Sequence, residues 1–508
     1  MNRSENAKRG IISGILNNIL KLFLPFLSRT VVLYILGVAY LGIGGLFTSL
    51  LQVLNISELG FGTTLSFLLY KPIAENDTEK IRAILAFSRK CFRYIGIVVL
   101  ALGLAVMPFI GNIINGDVPD GVNIYMLYLF YLVDSVSSYF LFSYKKVLLS
   151  ALQRYDIESL ISSGLIVLQS IFQIIVLLLW KNYYIFVLIL VLSTIINNLI
   201  CQLITKKKYP QYYCEGEISD EDISVVKKTV KGVFISKIGF VGFSSVNNII
   251  ISSFFGLVLL GQYSNYYYVT SCIVGFFAII HNALRPILGN YVLTETKESI
   301  YDMLTKVLYF YNWTTALCTG MLLCLYQDFI QLWAGEDNML PMSFVIMITL
   351  VFFTGRIPGI PSLFIEAKGL YAESQYVNLI AGVLNLSLGI LFSKIWGLNG
   401  LMASLILANV LICFGGYIIV MFRVLFRDKN LMIIFLKSIA TMTLIQILYS
   451  LLTYKIVSCL FAEVSIMIFI GKAFLSFLVF MILFGAYSFF QKEKTKVAFS
   501  FMVNTLKK

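Results

Sequence analysis

The stretch IESLISSGLIVLQSIFQIIVLLLW, residues 157–180, is followed after two polar residues by YYIFVLILVLSTIINNLICQLIT, residues 183–205. Each stretch is apolar over more than the roughly 20 residues that an α-helix needs to cross a bilayer. Three lysines, Lys206–Lys208, then follow. Because lysines are concentrated on the cytoplasmic side of membrane helices, this pattern predicts a helical hairpin that returns to the cytoplasm.

Apolar runs of this kind follow one another along almost the whole chain, separated by short polar breaks. About fourteen runs of spanning length are present, and we number them in chain order. They are Ile11–Gly37, Tyr40–Tyr70, Cys91–Ile114, Val122–Tyr144, Ile157–Trp180, Tyr183–Thr205, Val233–Phe255, Leu257–Leu284, Met303–Tyr326, Pro341–Ile365, Tyr376–Ile395, Leu398–Phe422, Leu431–Leu452 and Val464–Phe490.

The composition agrees with a polytopic membrane protein. Of 508 residues, 59% are hydrophobic and 13% are charged, whereas ordinary soluble domains carry about 25% charged residues. No polar stretch is long enough for a folded soluble domain, so we expect the function to take place within the bilayer. This excludes most enzyme classes, and we expect a protein that is not an enzyme.

The net charge of +13 does not indicate a nucleic-acid partner, because the basic residues are concentrated in alternate breaks, and the intervening breaks hold only the lone basic residues Lys181, Lys394 and Lys455. The breaks Asn115–Gly121 and Gln327–Leu340 contain no Lys or Arg. By the positive-inside rule, both termini and the Lys206–Lys231 link are cytoplasmic, and Asn115–Gly121 lies outside. The basic breaks hold Lys71, Lys80, Arg82, Arg89, Lys90, Arg93, Lys145, Lys146, Arg154, Lys227, Lys228, Arg423, Arg427 and Lys429.

The chain also resembles itself. The segment GVAYLG at 37–42 matches GLVLLG at 256–261, and the same separation of 219 positions aligns 78–85 with 297–304. Trp180 and Trp396 close corresponding runs at nearly that separation. Each copy contains about six spans, an even number, so both copies enter the membrane from the same side. Parallel repeats of this kind are typical of transporters with two related bundles.

The expected fold is therefore an all-α polytopic membrane protein with about 14 transmembrane helices. It comprises two parallel-repeat six-helix bundles and two extra C-terminal helices. The predicted boundaries are an N-terminal bundle at 1–205, a cytoplasmic linker at 206–230, a C-terminal bundle at 231–425, and two further helices with a cytoplasmic tail at 426–508.

Twelve repeat-related spans plus two, the Gly-x4-Gly turns at 37–42 and 256–261, and the segment LNGLMA at 398–403 resemble a known family. The chain is similar to the polysaccharide, or Wzx-like, flippases of the multidrug/oligosaccharidyl-lipid/polysaccharide (MOP) exporter superfamily. The resemblance implies a carrier in the bacterial cytoplasmic membrane that moves undecaprenyl-diphosphate-linked oligosaccharide by alternating access. It also implies membrane lipids, a polysaccharide polymerase and glycosyltransferases as partners, and no cofactor apart from a coupling H⁺ or Na⁺.

Charged residues within the runs are the candidates for the site, because a charge near a helix centre costs roughly 2.5–3.5 kcal/mol on insertion scales. The candidate cations for a diphosphate are Arg29, Lys21, Lys237, Arg285, Arg356 and Lys472. Lysine meets a phosphate as a point charge and arginine meets it bidentately. Asp134 and Glu58 are the candidates for coupling an ion. We expect no metal site and no catalytic residue.

For several of these residues a structural role competes with the functional one. Lys237, Arg285 and Glu366 lie near enough to the cytoplasm to extend toward it, and Arg29 can form an ion pair with Glu58 or Asp134. Lys472 is placed alone in the middle of run fourteen. We therefore predict that runs thirteen and fourteen line a groove for the lipid tail, with Lys472 at its polar mouth.

Three other functions compete with the flippase. A cation-coupled multidrug antiporter of the same superfamily is the first, although basic residues outnumber acidic ones inside the runs. A membrane polysaccharide polymerase is the second, but such an enzyme needs a sizeable external loop and every external break is short. A channel is the third, and it does not require the duplication.

Overall fold

The structure is a computed structural model that describes residues 3–58, 60–461 and 463–490. At 3–16, 56–57, 231–233, 235–237, 240, 244, 286, 372 and 484–490 only the backbone is described. The described residues are almost entirely helical and contain no strand. This agrees with the predicted all-α class.

The first part of the chain forms eleven helices. They are α1 (Arg3–Ile35), α2 (Val38–Leu54), α3 (Phe61–Glu75), α4 (Thr78–Val106), α5 (Ile110–Ile113), α6 (Ile124–Phe140), α7 (Ser143–Ala151), α8 (Tyr155–Trp180), α9 (Tyr183–Lys208), α10 (Asp220–Ser244) and α11 (Val246–Thr294). A single 3₁₀ turn, Asn55–Glu58, separates α2 from α3.

The remainder forms seven α-helices and two π-helical segments. The helices are α12 (Lys297–Ala334), α13 (Met342–Arg356), α14 (Gly359–Lys368), α15 (Tyr371–Leu407), α16 (Gly415–Val420), α17 (Lys429–Leu460) and α18 (Ile466–Phe490). The π-helical segments, Ala408–Phe414 and Met421–Phe426, flank α16.

Within the described residues, nine helices are long and apolar enough to cross a membrane, or ten if the bent pair α6–α7 counts as one span. Two of these candidates, Val241–Thr294 and Glu373–Phe426, are each 54 residues long. Each is broken by one glycine with positive φ, Gly256 or Gly397. Glu373–Phe426 therefore holds runs eleven and twelve, and Val241–Thr294 holds run eight and the end of run seven. All fourteen predicted runs fall on helical segments, which is the expected polytopic architecture.

The chain divides by packing into two compact units, Met1–Gly261 and Gln262–Lys508. In the first unit α1 packs along α8, while α6 packs against α4 and α9. In the second unit α12 contacts α13, α17 and α18. The first unit includes α10 and the start of α11, which belong to the second copy of the repeat. The division by packing and the division by sequence repeat need not coincide, so the predicted limits of the two bundles stay a prediction.

Backbone geometry repeats at the separations that the sequence indicates. Gly37 has φ 101° and ψ 168°, and Gly256 has φ 85° and ψ −179°, a conformation that is nearly restricted to glycine. The N-caps Asp77 and Thr296 accept hydrogen bonds from the backbone N–H groups of Lys80 and Ser299. Positive φ also recurs in three further pairs: Gly116 and Gly335, Gln153 and Gly369, and Lys181 and Gly397. The duplication therefore extends through both copies.

Equivalent spans are also broken at equivalent places. Run four bends by 52° between α6 and α7, next to Phe142 with φ 62°. Run ten breaks between α13 and α14 at Pro358, 216 positions later. Proline removes a backbone donor and collides with the preceding turn, so the predicted break after Arg356 is confirmed.

The predicted linker at 206–230 is partly helical, because α9 continues to Lys208 and α10 begins at Asp220. The intervening segment is held against α4 and α7 by two hydrogen bonds. Arg82 Nε donates to the carbonyl of Gln211 at 2.9 Å, and Lys145 Nζ donates to the carbonyl of Tyr212 at 2.8 Å.

Candidate functional site

Lys472 is the clearest correction to the sequence analysis. Its Nζ lies 2.6 Å from Asp328 Oδ2, and the two side chains are only 8% and 11% exposed. Asp328 belongs to α12 instead of an external loop, and Lys472 lies in the second turn of α18 instead of mid-span. A buried lysine that is neutralised by a carboxylate is not available to a diphosphate. The structure therefore contradicts the role of Lys472 at the mouth of a tail groove.

Arg285 also has an acidic partner. Its Nη1 lies 3.6 Å from Glu366 Oε2, and His281 Nε2 lies 3.4 Å from the same oxygen. His281 and Arg285 are one turn apart on α11, as their spacing predicts, while Glu366 comes from α14. All three side chains retain some exposure, so this cluster is reachable from outside the protein.

Arg356 ends α13 beside the break of run ten. Its guanidinium lies 5.8 Å from the ring centre of Phe277 and 5.9 Å from that of Phe352. Its Nε is buried and makes no hydrogen bond to another residue of the described chain. A cleft beside it is lined by Tyr311, Asn312, Thr315, Ile360 and Ile439, with Leu308 and Ile357. Arg356 therefore places a positive charge beside this cleft, and its Nε–H group has no hydrogen-bond partner in the described chain.

The other candidate cations lie on α1 and α10. Arg29 is half-buried on α1 and interacts electrostatically with Tyr183 of α9. Lys21, two turns earlier, is exposed. Lys237 belongs to α10, and its side chain lies outside the described part of the structure.

Asp134 faces α9 from the middle of α6. Its side chain reaches that of Thr194 for a hydrogen bond, while its Oδ1 is buried and has no partner among the described residues. An unpaired carboxylate oxygen in a span is costly unless it binds a proton or a cation. Carboxylate and hydroxyl oxygens are also the ligands that hard cations prefer.

Glu58 closes the 3₁₀ turn that interrupts run two. Its Oε2 accepts a hydrogen bond from the hydroxyl of Tyr139 at 2.7 Å, and Ser135 donates to Asn55 Oδ1 at 2.9 Å. The two predicted coupling carboxylates therefore make separate contacts that involve α6: Asp134 of α6 reaches Thr194 of α9, and Glu58 accepts a hydrogen bond from Tyr139 of α6. We call these two contacts together the carboxylate cluster.

Sequence reasoning missed several uncharged polar residues of α9. Asn198 is 1% exposed, and neither its Oδ1 nor its Nδ2 is hydrogen-bonded within the described chain. Asn197 Oδ1 and Gln202 Oε1 are likewise buried without a partner. The sequence does show these polar residues one or two helical turns after Thr194, but a search for charged residues does not find them. No group of three or more His, Cys, Asp or Glu side chains that could hold a metal is found in the residues described.

Solved structures with this arrangement are transporters. An inward-facing multidrug transporter of the MATE family, from the MOP superfamily, is 14% identical, with 79% of this chain and 94% of that chain covered and a TM-score of 0.63. The lipid II flippase MurJ in an inward closed conformation is 16% identical, with 94% and 98% covered and a TM-score of 0.65. This chain has the MOP fold.

A Vibrio cholerae MATE transporter shares the MOP fold at 13% identity, with 85% of this chain and 99% of that chain covered and a TM-score of 0.57. No protein-family model matches the sequence, and no curated protein matches it either. Identities this low show the fold alone. The fold that the sequence resemblance implies is therefore supported, and its Wzx-like branch is not established by these structures.

Proposed function

We propose that the protein is an alternating-access flippase for undecaprenyl-diphosphate-linked oligosaccharide in the bacterial cytoplasmic membrane. One observation carries the proposal. The MurJ flippase covers 94% of this chain, whereas the MATE structures cover 79–85%. Residues 426–508 are about a sixth of the chain and contain the two spans outside the repeat. The additional length is therefore shared with a lipid flippase.

The chemistry of the substrate agrees with the intramembrane cations. A diphosphate that leaves water loses its hydration, and fixed cations must replace it. Arg356 suits this role because its guanidinium is permanently charged and its Nε lacks a partner in the described chain. The adjacent Phe277 and Phe352 rings hold the guanidinium plane without neutralising its charge.

The carboxylate cluster supplies a coupling site for H⁺ or Na⁺. Asp134 Oδ1 is the unfilled ligand, and Thr194 orients the other oxygen. A cation bound there neutralises Asp134 and removes the cost of its buried charge, so occupancy shifts the balance between conformations. The pathway implies a polysaccharide polymerase and glycosyltransferases as functional partners.

Reconstitution tests the proposal directly. Purified protein in liposomes should expose undecaprenyl-diphosphate-linked oligosaccharide to an impermeant lectin faster than empty liposomes do. Arg356→Ala should slow that exposure at least tenfold, the loss expected when a charge-assisted hydrogen bond to phosphate is removed. Arg423→Ala, an exposed arginine of the same unit, should leave the rate unchanged.

A cation-coupled multidrug antiporter is the second candidate, favoured by the TM-score of 0.63 to a MATE transporter and by the carboxylate cluster. The two functions separate in the same liposomes. Export of cationic dyes driven by a proton or sodium gradient, with no exposure of the lipid-linked glycan, would replace the flippase by the antiporter.

A further inference from the structure

A histidine and an arginine of the second unit share one carboxylate oxygen. Glu366 Oε2 lies 3.4 Å from His281 Nε2 and 3.6 Å from Arg285 Nη1. Arg285 Nη2 also donates to the hydroxyl of Tyr371 on α15. The side chains of His281, Glu366 and Arg285 are 20%, 30% and 46% exposed, so the protein does not enclose them completely.

The carboxylate fits these two side chains poorly. Charge-assisted hydrogen bonds between nitrogen and a carboxylate usually measure about 2.7–2.9 Å, and arginine prefers two parallel bonds to two oxygens. Here a single oxygen faces both side chains, at 3.4 Å from His281 Nε2 and 3.6 Å from Arg285 Nη1. A phosphate has more acceptor oxygens and a larger charge, so it satisfies the same donors better.

The fold does not require charges at this place. In the first copy of the repeat, the positions equivalent to His281, Arg285 and Glu366 are Gly62, Ser66 and Ser150. There the two helices meet through a hydrogen bond from Ser66 Oγ to the carbonyl of Val147 at 3.4 Å. The equivalent helix contact therefore forms without any ion pair, and the charged cluster is an addition that structure alone does not explain.

We propose that His281 and Arg285 form a phosphate-binding site, and that Glu366 is a resident counter-ion which the incoming phosphate displaces. The inference rests on the proposed function, because that function supplies a diphosphate as the ligand. By the charge pattern the site lies toward the cytoplasmic end of α11, where a lipid-linked diphosphate arrives. Because Glu366 competes with the phosphate for the same two side chains, it weakens phosphate binding and so allows the ligand to be released.

Binding of inorganic pyrophosphate to the purified full chain in phosphatidylcholine nanodiscs tests this. Glu366→Gln should tighten binding about tenfold, because the competing charge is gone, and Arg285→Gln should weaken it about tenfold. Glu373→Gln is the matched control, since it removes one negative charge from an exposed position on α15. If Glu366→Gln binds pyrophosphate no more tightly than Glu373→Gln, the proposal is wrong.

A second measurement needs no variant. The chain contains one histidine, so untagged protein labelled at histidine gives one NMR signal from this site. Pyrophosphate should shift that signal, and an unmoved signal at saturating pyrophosphate would overturn the proposal. Nanodiscs that contain phosphatidylglycerol distinguish the source of the phosphate. Weaker pyrophosphate binding there would show that lipid headgroups also enter the site, while unchanged binding would assign it to the diphosphate.

The outcome is separable from the proposed function. Lipid exposure in liposomes without any effect of Glu366→Gln on pyrophosphate affinity would remove this site and keep the flippase. Tighter binding in Glu366→Gln without lipid exposure would keep the site and remove the flippase.

Discussion

Gly42 lies so close to the carbonyl oxygen of Leu257 that a Cβ added to the glycine would sit 2.1 Å from that oxygen. A Cβ on Gly261 would sit 2.1 Å from the carbonyl oxygen of Val38. Gly42 and Gly261 are 219 positions apart, and so are Val38 and Leu257. The contact is therefore reciprocal, as expected where two copies of a repeat meet across an approximate twofold axis.

Gly42→Ala should destabilise the protein by about 1–3 kcal/mol, because the new methyl group must push a backbone carbonyl away. Gly261→Ala should have a similar effect. The thermal midpoint of the purified protein measures both. Gly164→Ala is the control, because nothing lies within 4 Å of its added Cβ, and alanine in a helix should be neutral or stabilising by up to about 1 kcal/mol. Equal midpoints for Gly42→Ala and Gly164→Ala would contradict the close contact.

Lys472→Met should destabilise the second unit by about 3–5 kcal/mol, since it leaves Asp328 charged and buried. Adding Asp328→Leu to Lys472→Met should recover most of that loss, because a buried ion pair is commonly replaceable by apolar residues. Lys306→Met, which breaks the more exposed pair with Asp302, should cost no more than about 0.5 kcal/mol. A double variant no more stable than Lys472→Met would show that the pair does not explain the loss.

Arg29→Ala should abolish export of the lipid-linked glycan while leaving the protein inserted and abundant. Arg29→Lys should restore only part of the export, because the charge survives and the two-pronged geometry does not. Arg93→Ala, an exposed arginine on α4, provides the control. Normal surface glycan in the Arg29→Ala strain at wild-type protein level would remove Arg29 from the site.

Asp134→Asn should abolish the dependence of transport on the coupling ion, because the amide cannot bind a proton or sodium in the same way. We expect a single round of lipid exposure to survive and repeated turnover to slow. Transport measured in liposomes with and without an imposed proton or sodium gradient distinguishes a single round of lipid exposure from repeated turnover. An unchanged response to the gradient would exclude Asp134 as the coupling carboxylate.

The ion pair between Asp222 of α10 and Lys80 of α4 should weaken in acid. Burial alone would raise the pKa of Asp222, but hydrogen bonds from Lys80 and Ser219 outweigh it and hold that pKa below its ordinary value. The stabilisation is therefore fully present above about pH 4 and is lost as pH falls through the lowered pKa. The thermal midpoint of Asp222→Asn should lie about 1 °C below wild type at pH 6, and the gap should close toward pH 2.5. A gap that widens in acid would reverse the assigned sign.

Glu217→Cys, in a cysteine-free background, should be inaccessible to an impermeant thiol reagent in intact cells, because the charge pattern places the linker inside. Glu217 is exposed and, unlike Ser219, does not cap α10. Asp117→Cys in the opposite loop should label readily. Labelling of Glu217→Cys before lysis would invert the topology.

The polytopic class, the runs and the duplication were predictable, because hydrophobic length and repeated turns are local properties of the chain. The break after Arg356 was predictable for the same reason, since proline acts on its own helix. Within the predicted linker, Lys206–Lys208 are polar yet still helical in α9, so the polarity of a segment does not mark the end of a helix. The site was less predictable. Asp134 could be identified by its charge, but the buried Asn198, which lies one turn from Thr194, the hydrogen-bond partner of Asp134, could not.

What the sequence determined by itself was the number of apolar runs, their expected orientation and the 219-residue repeat. Run length and flanking charge act locally when a segment enters lipid, and the repeat is visible in the order of residues. The tertiary structure alone decided which charges meet. Lys472 and Asp328 are 144 residues apart, and Glu366 lies 81 residues beyond Arg285. Such pairs form only where distant helices pack. Lys472 is alone in its apolar run in the sequence, but in the fold it forms an ion pair with Asp328.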